Sequence, residues 1–162
     1  MYLQRKLSES LILFKNKHLL CRYEQQSPRR YKTVVGVGGN VGDVKRRIVH
    51  LIHFFKRDNR VELLEVSPLL KNPPFGFREQ EDFYNCVMVL GVDMRPVAFL
   101  RYLMGVEKRF LRKRSFANAP RTLDLDIIFF NDEIVKKHNL TIPHPHWFER
   151  ESVVIPLSEL RK

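Results

Sequence analysis

The stretch Thr33-Val34-Val35-Gly36-Val37-Gly38-Gly39-Asn40-Val41-Gly42-Asp43 decides the fold. Its β-branched opening predicts a short strand, because Val and Thr suit a pleated, half-buried backbone. The glycines that follow predict a tight turn into a helix. Asp43 stands where its carboxylate can accept from a free N–H of the first helical turn. Val44, Ile48, Leu51, Ile52 and Phe55 then recur at helical spacing and give that helix one apolar face.

Working outward, Val61 to Leu70 is rich in β-formers, Pro73-Pro74-Phe75-Gly76 is a loop, and Phe83 to Val92 predicts another strand. Pro96 suits the first position of a second helix, which is expected to turn Val97, Leu100, Leu103, Met104 and Leu111 inward. A basic loop follows, and Leu123 to Phe130 predicts a last strand. The order strand, helix, strand, strand, helix, strand packs two helices on one face of an antiparallel sheet, the ferredoxin-like α+β plan.

Upstream of this unit the composition changes. Residues 1–32 carry eight Lys/Arg and two Glu, whereas the other 130 residues carry 21 and 16. Gln25-Gln26-Ser27-Pro28-Arg29-Arg30 has the polar, proline-containing character of a linker, which puts the boundary near Lys32: a basic N-terminal extension over 1–32 and one domain over 33–162. Leu7, Leu11 and Phe14 stand at helical spacing, and the segment is too apolar for a free tail, so it is expected to dock on the domain.

With 162 residues, 44% of them hydrophobic, the chain can bury a real core, which excludes a disordered or disulfide-stapled protein. Cys21 and Cys86, the only cysteines, have no metal-like or redox-like spacing. No apolar run approaches the roughly 18 residues of a membrane span, and no secretory leader is evident. A cytoplasmic protein, with no membrane partner, is the expectation. The formal charge of +11 points to a polyanionic partner, whether nucleic acid, an acidic membrane or a small phosphorylated ligand, and composition does not choose among the three.

The glycine turn does not complete a dinucleotide fingerprint, since Val41 stands where the third glycine is needed, and the chain has no phosphate-binding G-x-x-x-x-G-K-[ST] loop. The chemistry concentrates instead in Pro120-Arg121-Thr122-Leu123-Asp124-Leu125-Asp126-Ile127. On a strand Asp124 and Asp126 share a face, about 7 Å apart at about 3.3 Å per residue. Two such carboxylates can hold Mg²⁺, which usually takes one or two from a protein and the rest of its ligands from phosphates and water. Lys108, Arg109, Arg112, Lys113, Arg114 and Arg121 lead to this strand, and arginine forks beside a metal-binding pair suit a polyphosphate. In Ile142-Pro143-His144-Pro145-His146 the prolines fix the backbone, and His144 is expected to face phosphate. Trp147 and Phe148 are core or pocket-wall aromatics.

The motif Pro120-Arg121-Thr122-Leu123-Asp124-Leu125-Asp126, with Arg112-x-Arg114 before it and Ile142-Pro143-His144-Pro145 after it, resembles the 6-hydroxymethyl-7,8-dihydropterin pyrophosphokinases of folate biosynthesis. Gly38-Gly39-Asn40-Val41-Gly42-Asp43, Pro73-Pro74-Phe75-Gly76, Gln80, Asp82, Phe83, Asn85, Arg150 and Pro156-Leu157 follow in the family's order, so the resemblance spans about residues 33–160. It implies a ferredoxin-like fold and transfer of pyrophosphate from ATP to the pterin's hydroxymethyl oxygen, with release of AMP. It implies Arg112, Arg121, Asp124 and Asp126 as catalytic residues, the two aspartates holding two Mg²⁺ ions. Leu100, Glu107, Arg114, Ile127, Leu140, Thr141, His144 and Arg150 would bind ATP. Asn72, Pro73, Phe75, Phe83, Asn85 and Phe116 would bind the pterin. A monomer is expected, with these two substrates as its partners.

Three positions depart from the family pattern. Asn118 stands where many members carry a tryptophan, Ser152 where a phenylalanine completes the pterin sandwich, and Met104 where a polar residue is common. Phe116, Trp147 or Phe148 is expected to complete the aromatic sandwich with Phe83. Many members also continue further past the Pro156-Leu157 match, and the N-terminal segment is expected to cover the surface that portion would cover. The alternative function is an RNA-binding module, since RNA-recognition motifs share this element order. No strand carries the K/R-G-F/Y-G/A-F-V-x-F/Y signature that reading needs. A non-enzymatic metal- and nucleotide-binding regulator is a further rival. Release of AMP strictly dependent on the hydroxymethylpterin discriminates among all three.

Overall fold

The computed structural model describes residues 1–19, 21–22, 27–112 and 116–160. Among these the chain runs β1 (Leu3–Lys6), β2 (Ile12–Lys15), β3 (Cys21–Arg22), β4 (Tyr31–Gly39), α1 (Val44–Arg57), β5 (Val61–Val66), β6 (Leu69–Asn72), β7 (Phe83–Val92), α2 (Pro96–Arg109), β8 (Asp124–Phe130), β9 (Val135–Lys137), β10 (Leu140–Ile142) and α3 (Glu151–Ser158). The main sheet is antiparallel and ordered β1-β2-β6-β7-β4-β8, with β5 between β7 and β3. The β4-to-β8 portion is the ferredoxin-like plan. Its central strand β4 pairs Val37 with Cys86 of β7 on one side and with Leu125 of β8 on the other.

Strand alternation sorts the residues between two layers. Val35 and Val37, with Met88, Leu90, Leu125 and Ile127, face a core closed by α1 and α2. The buried residues of α1 are Val44, Ile48, Leu51, Ile52 and Phe55, the apolar face that the spacing predicts. Asp43 caps the helix, its Oδ1 accepting from the Arg46 N–H at 3.1 Å. Pro96 opens α2. Val34, Val87 and Ile128 point to the opposite face, where Val153 and Leu157 of α3 cover them. The third helix was not foreseen: it carries an internal proline, Pro156, and too few residues to show a period.

Two local expectations are corrected. The buried face of α2 is Phe99, Tyr102, Leu103 and Val106 with Glu107, while Met104 and Leu111 are exposed. The helix ends at Arg109, and Leu111 turns outward with φ +65°. The N-terminal segment is a β-hairpin, not a helix. The Leu7 N–H donates to the Leu11 carbonyl and closes the turn, β1 and β2 pair, and β2 adds to β6 with Leu13 opposite Leu70 and Phe14 opposite Leu69. The apolar spacing misleads because Leu13 and Phe14, adjacent in sequence, are both buried, Leu13 on one side of the strand and Phe14 on the other.

Candidate active site

The C-terminal end of β4 comes close to the segment that precedes β8. A Cβ on Gly39 would lie 2.5 Å from the Thr122 carbonyl oxygen, so only glycine allows this approach. The N–H groups of Asn40 and Val41 donate to the Arg121 carbonyl at 2.9 and 3.3 Å, and the Arg121 N–H donates back to Asn40 Oδ1 at 2.9 Å. The buried Asn40 amide also donates to Gln80 Oε1 and the Glu81 carbonyl, both at 2.9 Å. Arg47 Nη1 holds the carbonyls of Val41 and Thr122 at 2.6 and 3.0 Å. The glycine turn is therefore a brace between three loops, and Asn40 and Gln80 are its pins.

From this brace β8 sends Leu125 and Ile127 into the core under α2, and Asp124 and Asp126 to the other face. Arg121 Nη1 bonds Asp124 Oδ2 at 2.9 Å, and Arg112 Nη2 lies 3.7 Å from Asp124 Oδ1. Burial first, and then the charges of Asp124 and Glu107, push the Asp126 carboxyl up to about 7, against the pull of Arg150 and Arg121. A buried carboxylate beside other carboxylates is costly to ionise, a cost that a bound cation would lower. Among the described residues no group of three or more His, Cys, Asp or Glu side chains is arranged for a metal; two carboxylates are within what Mg²⁺ takes from a protein. The His144 N–H donates to the Ile128 carbonyl at 3.0 Å, seating its ring beside the pair. Burial, then the charges of Arg150 and His146, lower the His144 pKa, which favours the neutral ring.

Two cavities meet at these side chains. One, about 440 Å³, is walled by Arg112, Phe116, Asn118, Arg121, Asp124, Asp126, His144 and Arg150. The other, about 420 Å³, shares the last five and Asn118 and extends to Asn72, Pro73, Phe75, Phe83, Asn85 and Ser152. There Asn85 Nδ2 donates to Asn72 Oδ1 at 2.7 Å, and Asn72 Nδ2 donates to the Pro73 carbonyl at 3.0 Å. The Arg121 guanidinium lies 5.3 Å from the Phe83 ring, so one arginine faces both cavities. A methyl at Gly38 would run into Asn85 Oδ1, so this glycine leaves the amide its place.

Not every residue implicated by the sequence lines these cavities. Ile127 and Leu140 are buried in the helix-side core, with Leu100 packed against it, and Thr141 is exposed on β10. Glu107 is buried, its Oε1 accepting from the Leu125 N–H at 3.2 Å, between the two aspartates. Arg114 lies outside the described residues. Trp147 packs edge-on against Phe129, 5.0 Å between centroids, and Phe148 is exposed; neither lines these two cavities, and of the three candidates Phe116 alone lines one, the cavity with Arg112 and not the one with Phe83. Asn118 has a local reason of its own. It adopts φ +58°, a left-handed conformation that asparagine tolerates, and its carbonyl accepts from Gln80 Nε2 at 2.9 Å. Sequence reasoning assigned no role to Asn40; the signal available was a polar residue directly after Gly38-Gly39 that does not cap the helix.

A ferredoxin-like sheet bearing two carboxylates, several arginines and a histidine around one cavity, with an amide-and-aromatic slot adjoining, suits a phosphate-transferring enzyme of the nucleotide-dependent class. Residues 34–162 match the family model described as 7,8-dihydro-6-hydroxymethylpterin-pyrophosphokinase. The chain belongs to that family. It is 40% identical over 128 residues to the 2-amino-4-hydroxy-6-hydroxymethyldihydropteridine pyrophosphokinase of Campylobacter jejuni, covering 79% of this chain and 82% of that protein. It is 38% identical over 129 residues to the Helicobacter pylori protein of the same name, covering 78% and 79%. A folic acid synthesis protein of Dictyostelium discoideum is 35% identical over 124 residues, 76% of this chain and 18% of that protein. The chain is an ATP-dependent pyrophosphokinase of folate biosynthesis, a transferase. These matches give the RNA-binding alternative no support. Among the described residues no helix is long and apolar enough to cross a membrane.

Proposed function

We propose that the two adjoining cavities divide the reaction between them, ATP phosphates in the one walled by Arg112 and the pterin in the one walled by Asn72 and Asn85. The hydroxymethyl oxygen attacks the β-phosphorus of ATP. A new oxygen–phosphorus bond forms, the bond to the α-phosphate oxygen breaks, AMP leaves and the hydroxyl proton is released. The work is positioning and charge stabilisation, so no protein nucleophile is needed.

Arg121 and Arg112 hold Asp124, and Arg121 reaches Phe83, which puts one guanidinium at the junction where the β-phosphate must stand. His144, neutral, and Arg150 offer further contacts to phosphate oxygens, and Arg114 is assigned there by resemblance. Leu100, Glu107, Ile127, Leu140 and Thr141 are proposed for the adenosine end, where their contribution is backbone or packing. Asp124 and Asp126 are proposed to hold two Mg²⁺ ions. Bound there, the ions would neutralise phosphate charge and orient the chain for in-line displacement. Asn85 and Asn72 present amides to the pterin edge, Phe83 stacks on its ring, and Pro73 and Phe75 close the slot; Phe116, assigned to the pterin by resemblance, stands in the adjoining cavity with Arg112. We further propose that the protein works as a cytoplasmic monomer with these two substrates as its partners, and with neither nucleic acid nor membrane. The 1–32 segment is proposed as an extension of the 33–162 catalytic domain.

The observation that carries this reading is the convergence of Asp124, Asp126, Arg121, His144 and Arg150 on both cavities. The test is AMP release from ATP with and without hydroxymethyldihydropterin. Release is expected only with the pterin, and Asp126→Asn is expected to lower it by more than ~10²-fold, about 2.7 kcal/mol of transition-state stabilisation. Near-wild-type turnover in Asp126→Asn with unchanged Mg²⁺ dependence would refute the assignment.

A further inference from the structure

The N-terminal hairpin lies outside the segment matched by the family, which begins at Val34, yet it is built against one half of the site. Strand β2 pairs Ile12 with Lys71 and Phe14 with Leu69, on the strand whose last residue is Asn72. The Phe14 ring meets that of Tyr84 at 5.9 Å, and Tyr84 lies between Phe83 and Asn85 in β7. Lys45 Nζ stands 5.0, 4.4 and 5.6 Å from the ring centroids of Tyr2, Phe14 and Tyr84, so a cation from the first turn of α1 sits among three rings, two of them from the hairpin. Arg5 of β1 pairs with Glu159 at the end of α3, the helix that carries Ser152.

These contacts all fall on one side. In the order β1-β2-β6-β7-β4-β8 the hairpin adjoins β6 and is next but one to β7, while the carboxylate strand β8 is the far edge. We infer that the hairpin is a positioning element for the pterin slot, acting through Phe14 and Lys45, and that it sets affinity for the pterin without touching it. The mechanism is mechanical. Phe14 and Lys45 hold Tyr84 on the helix side of β7, and alternation then aims Phe83 and Asn85 into the slot from the other side. Register with β2 fixes β6, and with it the Asn72 amide that orients Asn85. This inference rests on the proposed pterin role of Asn72, Phe83 and Asn85.

The experiment measures, on the full chain, dissociation constants for Mg²⁺-ATP and, separately, for hydroxymethyldihydropterin in the presence of a non-hydrolysable ATP analogue. Phe14→Ala and the milder Lys45→Met are each expected to weaken pterin binding about five- to tenfold, as loss of a partly desolvated cation–π contact would. ATP binding should stay within about twofold, and Lys45→Arg, which keeps a cation over the rings, should restore the pterin affinity. Equal weakening of both ligands, or a lower melting temperature with neither affinity changed, would overturn the inference and leave the hairpin as a support. Asn85→Ala is the reference. If it weakens pterin binding while Phe14→Ala and Lys45→Met do not, the inference fails alone; if Asn85→Ala has no effect, the slot assignment fails and takes the inference with it.

Discussion

The two sides of the pocket are built on different principles. The phosphate side is charged: Asp124 and Asp126 stand on one strand, with Arg121, Arg112 and Arg150 around them, and burial beside Asp124 raises the pKa of Asp126. The groups that belong to the ring side alone are uncharged: the Asn85 amide donates to Asn72, whose own amide donates to the Pro73 carbonyl, a phenylalanine offers its face, and prolines fix the loop. A polyphosphate is held by charge, its oxygens against the arginines, whereas a flat heterocycle must find its partners already in place. Precision of shape is thus demanded at β6–β7 and balance of charge at β8.

Arg121 belongs to both sides and offers the largest test of the division. Arg121→Ala is expected to lower kcat/KM by ~10² or more, the usual cost of a preorganised charge-stabilising group, and to weaken both ligands, whereas Arg150→Ala should weaken ATP more than pterin. Separate titrations of the two ligands check this, and an Arg121→Ala effect confined to ATP would break the comparison.

Gly38 and Gly39 sharpen it further, being adjacent in sequence and set against opposite sides. Gly38→Ala drives a methyl into the Asn85 amide and should raise the KM for pterin about tenfold, equivalent to ~1.4 kcal/mol, with little change for ATP. Gly39→Ala meets the Thr122 carbonyl, a backbone atom that cannot turn aside, and should cost about 1–3 kcal/mol of stability while disturbing the carboxylate strand. Calorimetry with paired KM values tests both; identical profiles for the two variants would contradict the assignment of sides.

A smaller effect is expected from Phe83→Ala. Pterin binding should weaken by about 0.5–1.5 kcal/mol beyond the lost area burial, with ATP binding nearly unchanged. Equal loss of both would make Phe83 a core support.

The smallest effect concerns pH, and it falls on the turn that follows the hairpin. His18 meets His53 of α1 edge to face, 5.1 Å between centroids. Burial first, and then the charges of His53, Lys17 and Lys56, hold its imidazole below the ordinary 6.5. The folded protein therefore takes up this proton less readily than the unfolded chain. The resulting stability is present above the ordinary value and is lost as the pH falls through it toward the lowered one. The melting temperature should thus drop slightly more between about pH 7.5 and about pH 5.5 in the wild type than in His18→Gln. An identical drop in both would remove the histidine from the account.

Much of this was readable in the sequence because it lies on regular elements. The α1 face and the shared face of Asp124 and Asp126 follow from periods of 3.6 and 2, which the chain obeys. The hairpin was misread because Leu7, Leu11 and Phe14 imitate a helical period, whereas Leu7 and Leu11 form the turn, Leu7 is exposed, and Phe14 is buried where β2 pairs with β6, a long-range contact that spacing does not encode. Asn118 looked like a missing tryptophan, and its left-handed backbone, with its side chain set against Gly76, shows the position meeting a different, conformational demand. Asn40 gave no sign of its role because its four partners come from Gln80, Glu81 and Arg121, remote in sequence.

That β4 is central to the domain also bears on how fast the enzyme can be made. Its two neighbours are β7 and β8, so the ladder Gly38↔Asp124 joins residues separated by most of the domain, while the hairpin β1–β2 closes over only five residues, Leu7 to Leu11. Local pairings form early and distant ones wait on the entropy of closing a long loop, a cost that rises with the logarithm of its length. On that ordering the β4–β8 ladder is among the last to close, and it is the ladder that delivers Asp124 and Asp126. A refolding chain would recover strand signal and its burial of tyrosines ahead of catalytic competence, so enzymatic activity, followed in time, becomes a clock for the final closure of the sheet.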